Sequence, residues 1–386
     1  MRQAAVGAAL LVIGAICVVL GFLPVSTLVE LADRVVPVLA FVLGLTIVAE
    51  LAADAGVFDR LADLAARVGG GRTIGLWGAV VVLAVLCTVF LSIDTTAVLL
   101  TPIVITLARR VGLPAMPFAL TTVWLANTAS LLLPVSNLTN LLAVTRIGLD
   151  GPLPFAALMA WSAVAGVLVP CAVLVVVFRR QLFGRYTPPA VRQPTDRVFF
   201  AAAAAVLVAL VVALTAGVTV WIAAIAAAVV LVVVAAVRQP SSLRASRIPW
   251  QPLLLAAGLF VVVETLHATG VTDPLVDALR GGGHGTSLGD LLLLGGAGGV
   301  AANAIDNLPA YLVLEPAAAG EPLRYAALLI GVNAGCLITP WASLATLLWH
   351  ARLRAEGVEL SWGRYMLLGC VVAPLTVVAG VLALAL

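Results

Sequence analysis

The sequence predicts an all-α polytopic membrane protein, and three observations carry that prediction. Apolar runs of about twenty residues recur along the chain, the length a helix needs to cross a bilayer. Of its 386 residues, 63% are hydrophobic and only 10% charged, where soluble domains carry about 25% charged residues. The mean hydropathy is +1.18. Such a chain cannot cover a water-soluble surface, which excludes a soluble enzyme, a nucleic-acid binder and a disordered chain. The runs also lack the ten-residue alternation of a membrane β-barrel.

Arg2 and the apolar run from Ala4 to Leu23 are read as a retained first helix within an N-terminal unit, 1–34. The run is too long for a signal-peptide core and has no small-x-small cleavage site. Further crossings are expected at 35–55, 118–145, 155–178, 197–215, 217–237, 251–269, 324–350 and 363–386. The stretches 73–109 and 286–314 are interrupted halfway by polar residues, and each is read as a re-entrant helical hairpin. Irregular backbone at membrane depth is tolerated where protein or a cavity surrounds it.

All 21 basic residues are arginine, which makes them topology markers rather than a nucleic-acid patch. With the N-terminus in the cytoplasm, 17 of them, Arg192 and Arg247 included, fall in inside loops, and four (Arg34, Arg146, Arg280 and Arg324) fall outside. This bias predicts a multi-pass protein of the cell (inner or plasma) membrane with a cytoplasmic N-terminus and an extracytoplasmic C-terminus. The proline-bearing stretch 179–196 is read as a cytoplasmic linker, and 179–250 as that linker with two scaffold helices. Five cysteines lie in apolar segments without metal-ligand spacing, so no disulfide, metal or cofactor is expected.

Two segments, 35–178 and 251–386, resemble each other. Glu50–Asp59 matches Glu264–Asp273 at an offset of 214, Ile93-Asp94 matches Ile305-Asp306, and Asn127–Pro134 matches Asn333–Pro340. Five steps separate the helices at 35–55 and 251–269, an odd number, so the second copy runs in the opposite sense. Inverted-topology repeats are an architecture of secondary transporters.

Polar groups in hydrocarbon are expensive and mark a site by default. Four clusters stand out, two per repeat. The first hairpin carries Ser92, Asp94, Thr95 and Thr96; the second carries Asn303, Asp306 and Asn307. The first broken helix carries Asn127, Thr128, Ser130, Ser136, Asn137 and Asn140 around Pro134. The second carries Asn333, Cys336, Thr339 and Ser343 around Pro340. Proline removes a donor and disfavours continuous helix, so both helices are expected to unwind near midplane and expose groups that hold ions and polar solutes. Asp94 and Asp306, carboxylates in apolar hairpins, are the expected proton carriers. Glu50, Glu264 and His267 are left between helix pairing and proton relay, His284 is expected in solvent, and isolated threonines such as Thr46 are expected to pack helices.

At these residues the chain resembles the ArsB-type arsenite and antimonite permeases of the ion-transporter superfamily, relatives of the NhaD-type antiporters and the divalent-anion/sodium symporters. The resemblance rests on Leu91–Pro102, Ala126–Asn140, Asn303–Pro309, Ser343–Trp349 and Ser361–Tyr365. It implies export of trivalent arsenite or antimonite against inward proton movement. It also implies an elevator mechanism, in which hairpins and broken helices move as a block. The partners it implies are the metalloid, protons and the lipid bilayer; a soluble arsenical-pump ATPase and a second copy of the chain remain open. Sodium/proton antiport and organic-anion or carboxylate symport are the alternatives. An enzyme is not expected, because no nucleophile, base or metal constellation is visible.

Overall fold

A computed structural model describes residues 2–149, 151–190, 193–244, 248–280 and 285–386. The expectations for His284, Arg192, Arg247 and the Arg2 side chain lie outside the described residues. The described chain is helical, with one isolated β-bridge between Arg72 and Arg185.

The first half comprises α1 (Arg2–Val19), α2 (Val25–Asp54), α3 (Val57–Val68), α4 (Thr73–Leu91), α5 (Thr101–Arg110), α6 (Met116–Thr128), α7 (Leu138–Ile147) and α8 (Pro152–Leu182). Then come α9 (Arg197–Thr215), α10 (Val220–Arg238), α11 (Trp250–Ala268), α12 (Asp273–Arg280), α13 (Leu288–Ile305), α14 (Asn307–Leu314), α15 (Pro322–Ala334), α16 (Leu344–Ala355) and α17 (Trp362–Leu382). Among the described residues, α2, α4, α8, α9, α10, α11, α13 and α17 are long and apolar enough to cross a membrane.

Helix α2 starts ten residues before the expected span, because Glu30, Asp33 and Arg34 limit the apolar stretch without stopping the helix. The expected helices 118–145 and 324–350 each consist of two helices separated by irregular backbone around Pro134 and Pro340.

Both interrupted stretches are chain reversals. Helix α4 rises from α3, the chain turns at Ser92, and a π-helical stretch (Thr95–Leu100) leads into α5. Helix α5 returns to α3, where Arg110 donates to the buried Asp63 at 2.8 Å. Helix α13 turns at Asp306 into α14. Both ends of this second hairpin are held by the buried Arg324, which donates to Leu279 O, Gly285 O and Ala317 O at 2.8–3.1 Å.

The linker is not free. Tyr186 donates its amide to Gly71 O at 2.9 Å and its hydroxyl to Ala66 O, which lays residues 183–190 across the base of the first hairpin. Helix α1 packs on α11, with Gly7 and Gly258 at the crossing. Helix α10 packs on α2 at Gly44, where a Cβ would meet the Ala224 backbone at 2.8 Å.

Candidate functional site

The two hairpin turns share one backbone conformation. Ser92 (φ 112°, ψ 164°) and Asp306 (φ 88°, ψ 152°) are the positive-φ non-glycine residues among the described residues. This region is nearly closed to L side chains and costs of order 1–3 kcal/mol, strain that persists where surrounding packing imposes it and that clusters at functional sites. Ser92 and Asp306 are 214 positions apart, the offset already present between Glu50 and Glu264. The expected pairing of Asp94 with Asp306 is therefore corrected: Asp306 answers to Ser92, and Asp94 answers to Leu308. The shared Ile-Asp dipeptide lies two residues out of the register set by the turn.

The two helix breaks also correspond. Leu133 and Thr339 are extended, a 3₁₀ turn follows each proline, and Asn137 and Ser343 are extended at the N-termini of α7 and α16. Turns and breaks meet around a cavity of about 100 Å³. Its polar lining is Ser92, Asp94, Ser136, Asn137, Asp306, Asn307, Ser343 and Thr46. Its apolar wall comes from α2 (Leu39, Phe41, Val42, Leu45) and α11 (Pro252, Leu253, Leu255, Ala256, Leu259). Two carboxylates, amides and hydroxyls face it, and among the described residues no arginine does.

The remaining expected residues stand behind this lining and hold it in place. Asn333 Oδ1 accepts from Asn137 Nδ2 at 2.7 Å and from Thr139 Oγ1 at 3.1 Å, while its Nδ2 donates to Asn140 Oδ1 at 3.1 Å. One amide of the second break thus bridges three residues of the first. Asn140 in turn donates to Ser130 O and Leu133 O across its own break. Asn303 donates to Gly335 O at 2.7 Å and accepts from the Thr339 amide at 2.8 Å, tying the second hairpin to the second break. Asn127 and Cys336 meet at 3.3 Å, both fully buried. Ser130 and Thr128 bond backbone carbonyls in their own helix, and Thr96 shares its hydroxyl with Thr88 at 2.9 Å. Thr95 bonds Leu91 O. None of these lines the cavity.

Two larger cavities approach this chamber from opposite ends of the molecule. One, about 630 Å³, is lined by Glu50, Trp250 and Arg352 and reaches Asp94 and Thr46. The other, about 810 Å³, is lined by Arg34, Arg146 and Glu264, and touches the chamber wall only at Val135 and Leu141. At that end Arg34 of α2 forms a two-pronged ion pair with the buried Glu315, which also accepts from the Tyr311 hydroxyl at 2.9 Å. His267 lies 3.4 Å from Val313 O nearby.

Sequence reasoning missed the cavity role of Thr46 and the assembly of Arg34, Tyr311 and Glu315. A lone threonine in an apolar helix carries no distinguishing signal. A charge at the edge of an apolar run looks the same whether it reaches for solvent or for a partner.

A multi-pass helical membrane protein with a polar chamber between two chain reversals is a transporter of small solutes. The chain belongs to the citrate transporter (CitMHS) family, whose model matches residues 3–324. Relatives include the arsenical pump membrane protein of Yersinia enterocolitica, 27% identical over 96% of this chain and 91% of that one. The arsenical pump membrane protein of Escherichia coli K12 is 28% identical over 84% and 80%. A putative arsenical pump membrane protein of Bacillus subtilis is 25% identical over 94% and 90%. These matches bear out the ArsB-type resemblance read from the motifs. In fold the chain is similar to the YdaH transporter of Alcanivorax borkumensis, with a TM-score of 0.59, 16% identity, and coverage of 100% of this chain and 97% of that one.

Proposed function

We propose that the chain exports trivalent arsenite and antimonite, as their neutral trihydroxides, in exchange for protons. The observation that carries this is the chamber lining: hydroxyls and amides for an uncharged polyol-like solute, two carboxylates to take up protons, and no basic side chain among the described residues. The names of the arsenical pump relatives point the same way. The family's description as a citrate transporter favours an organic-anion symporter instead. Two carboxylates in a chamber without a cation oppose that reading, because like charge in a small low-dielectric cavity repels an anion.

In this reading the two repeats of opposite orientation, expected at 35–178 and 251–386, widen to α1–α8 and α10–α17 with α9 between them, because α1 packs on α11 as α10 packs on α2. Helices α1, α2, α10 and α11 form the scaffold, each repeat's first helix packing on the other repeat's second. The hairpins and broken helices form the block that moves past it in an elevator stroke. The arginine bias puts the Arg352 end in the cytoplasm, so the state described is open inward: solvent reaches Asp94 through the Glu50–Arg352 cavity, and the Arg34–Glu315 pair closes the outer end.

The test is arsenite and antimonite uptake into everted vesicles, with and without a protonophore. Uptake that collapses with the pH gradient is expected, and Asp94→Asn should abolish it while membrane insertion stays intact. Unaltered uptake by Asp94→Asn overturns the proton role. Vesicles holding inserted protein but taking up no metalloid overturn the substrate and bring forward sodium/proton exchange, read as sodium-dependent dequenching.

A further inference from the structure

We infer that three neutral side chains which the fold leaves without partners, Thr46, Asn307 and Ser343, are the groups that hold the solute, and that the other hydroxyls and amides of the chamber serve the protein itself. The inference rests on the transport-site reading above.

Burying a polar side chain without a hydrogen bond costs stability, so native proteins pair nearly all of them. A buried polar group that faces a cavity unpaired is one whose partner comes from outside. Most of the chamber lining is paired. Asn137 accepts from the Thr139 amide and donates to Asn333. Ser136 donates to Leu133 O at 2.9 Å and Val89 O at 3.1 Å. Ser92 bonds the Thr95 amide and hydroxyl, and Asp306 accepts from the Leu308 amide.

Asn307 and Ser343 differ. They are only 8% and 2% exposed, line the chamber, and have no side-chain hydrogen bond among the described residues. Ser343 stands at the N-cap of α16, where a serine ordinarily bonds the helix's own amides, yet it makes no such bond. Thr46 is the scaffold's polar contribution to the lining. Thr88, Thr121, Thr128, Thr265 and Thr376 each spend their hydroxyl on the carbonyl four residues back. Thr46 does not, and it lines both the chamber and the Glu50–Arg352 cavity. Asp94 is likewise unpartnered among the described residues and keeps the proton role.

The two halves are alike in backbone but not in these groups. At the offset of 214, Thr46 answers to Phe260 and Asn307 to Ile93, both buried and apolar. Across the breaks Ser343 answers to Asn137, whose amide is already spent on Thr139 and Asn333. The symmetry-related positions therefore offer no free group, and the solute is held by the second half and Thr46. Two hydroxyls and one amide supply both donors and acceptors, which suits an uncharged solute with several hydroxyls.

The test uses Thr46→Val, Asn307→Leu and Ser343→Ala, made singly, in everted vesicles and as purified detergent-solubilised protein. Each should raise the KM for arsenite about tenfold and melt no lower than wild type, because no bond within the protein is lost. Ser136→Ala, whose hydroxyl serves two carbonyls, should melt lower by about 2 °C or more. Thr46→Ser, which keeps the hydroxyl, should restore the wild-type KM. An unchanged KM in any of the three, a melting loss in them equal to that of Ser136→Ala, or a Thr46→Ser that stays weak would each overturn the assignment. Wild-type vesicles that take up no arsenite overturn the proposed substrate instead. The same variants are then read on sodium-dependent dequenching, where each should raise the half-saturating sodium concentration; unchanged values there would overturn the assignment too.

Discussion

The two hairpins make the same turn with different packing chemistry. In the first, α4 and the returning arm are held to α6 by side-chain hydrogen bonds: Trp77 Nε1 to Thr121 Oγ1 at 2.8 Å, and Thr101 to Thr122 at 2.7 Å. In the second, α13 lies against α15 through glycines, and a Cβ on Gly331 would stand 2.1 Å from Gly295 O. Close approach of bare backbone replaces hydroxyl and indole bonding, as small-residue interfaces do between membrane helices. The second hairpin also has fastenings that the first is not seen to share, the Arg324 staple at its base and the Arg34–Glu315 pair to α2. One turn geometry thus tolerates two supports, and the difference lets each half carry its own chemistry at the tip.

That contrast can be broken by substitution. The largest effect is expected at Arg324. Arg324→Met leaves one buried and two partly buried carbonyls without their charged donor, a loss of about 3 kcal/mol, read as a fall in detergent melting temperature and in membrane yield. A variant that melts like wild type would show that the second hairpin is held elsewhere. Next comes Gly331→Ala, which must push α13 from α15 and should cost about 2 kcal/mol. Its control is Gly296→Ala on the open face of α13, where a Cβ meets nothing within 4 Å. That change should be neutral or stabilising by about 0.5 kcal/mol. Equal melting of the two variants would remove the glycine-packing argument.

In the first hairpin, Thr121→Val keeps the shape and orphans the buried Trp77 indole N–H, for about 1–2 kcal/mol. No change there would mean the indole finds another acceptor.

The smallest effect lies outside both hairpins and sets the background for the others. The Arg238 side-chain hydrogen bond, followed by the Phe199 amide, holds the partly exposed Asp196 carboxyl below its ordinary 3.8. Its contribution is fully present above that value and is lost as pH falls through the depressed folded value. Asp196→Asn should flatten this acid limb slightly, measured as melting temperature against pH, and leave neutral stability almost unchanged.

Much of this molecule is written in local sequence. Apolar length gives the spans, because hydrocarbon thickness is fixed. Pro134 and Pro340, each among polar residues, mark the helix breaks, whereas Pro37, Pro170 and Pro374 in more apolar runs stay inside helices. Polar residues inside apolar runs mark both reversals, because such groups need company at membrane depth. These are properties of single residues or short windows, and a sequence carries them intact. It also supplies the list of polar groups from which the chamber is drawn.

Which of those groups line the chamber was decided only by tertiary structure. Asn127, Asn303, Asn333 and Cys336 look as chemical as Asn137 or Ser343, yet they turn away to bridge the breaks. The pairing of Asp306 with Ser92 depends on where φ becomes positive, a choice made by packing around the turn rather than by the Ile-Asp dipeptide. The meeting of Arg34 with Glu315, 281 residues apart, is a long-range event. Charge and hydrogen bonding act through space, and spacing along the chain does not record them.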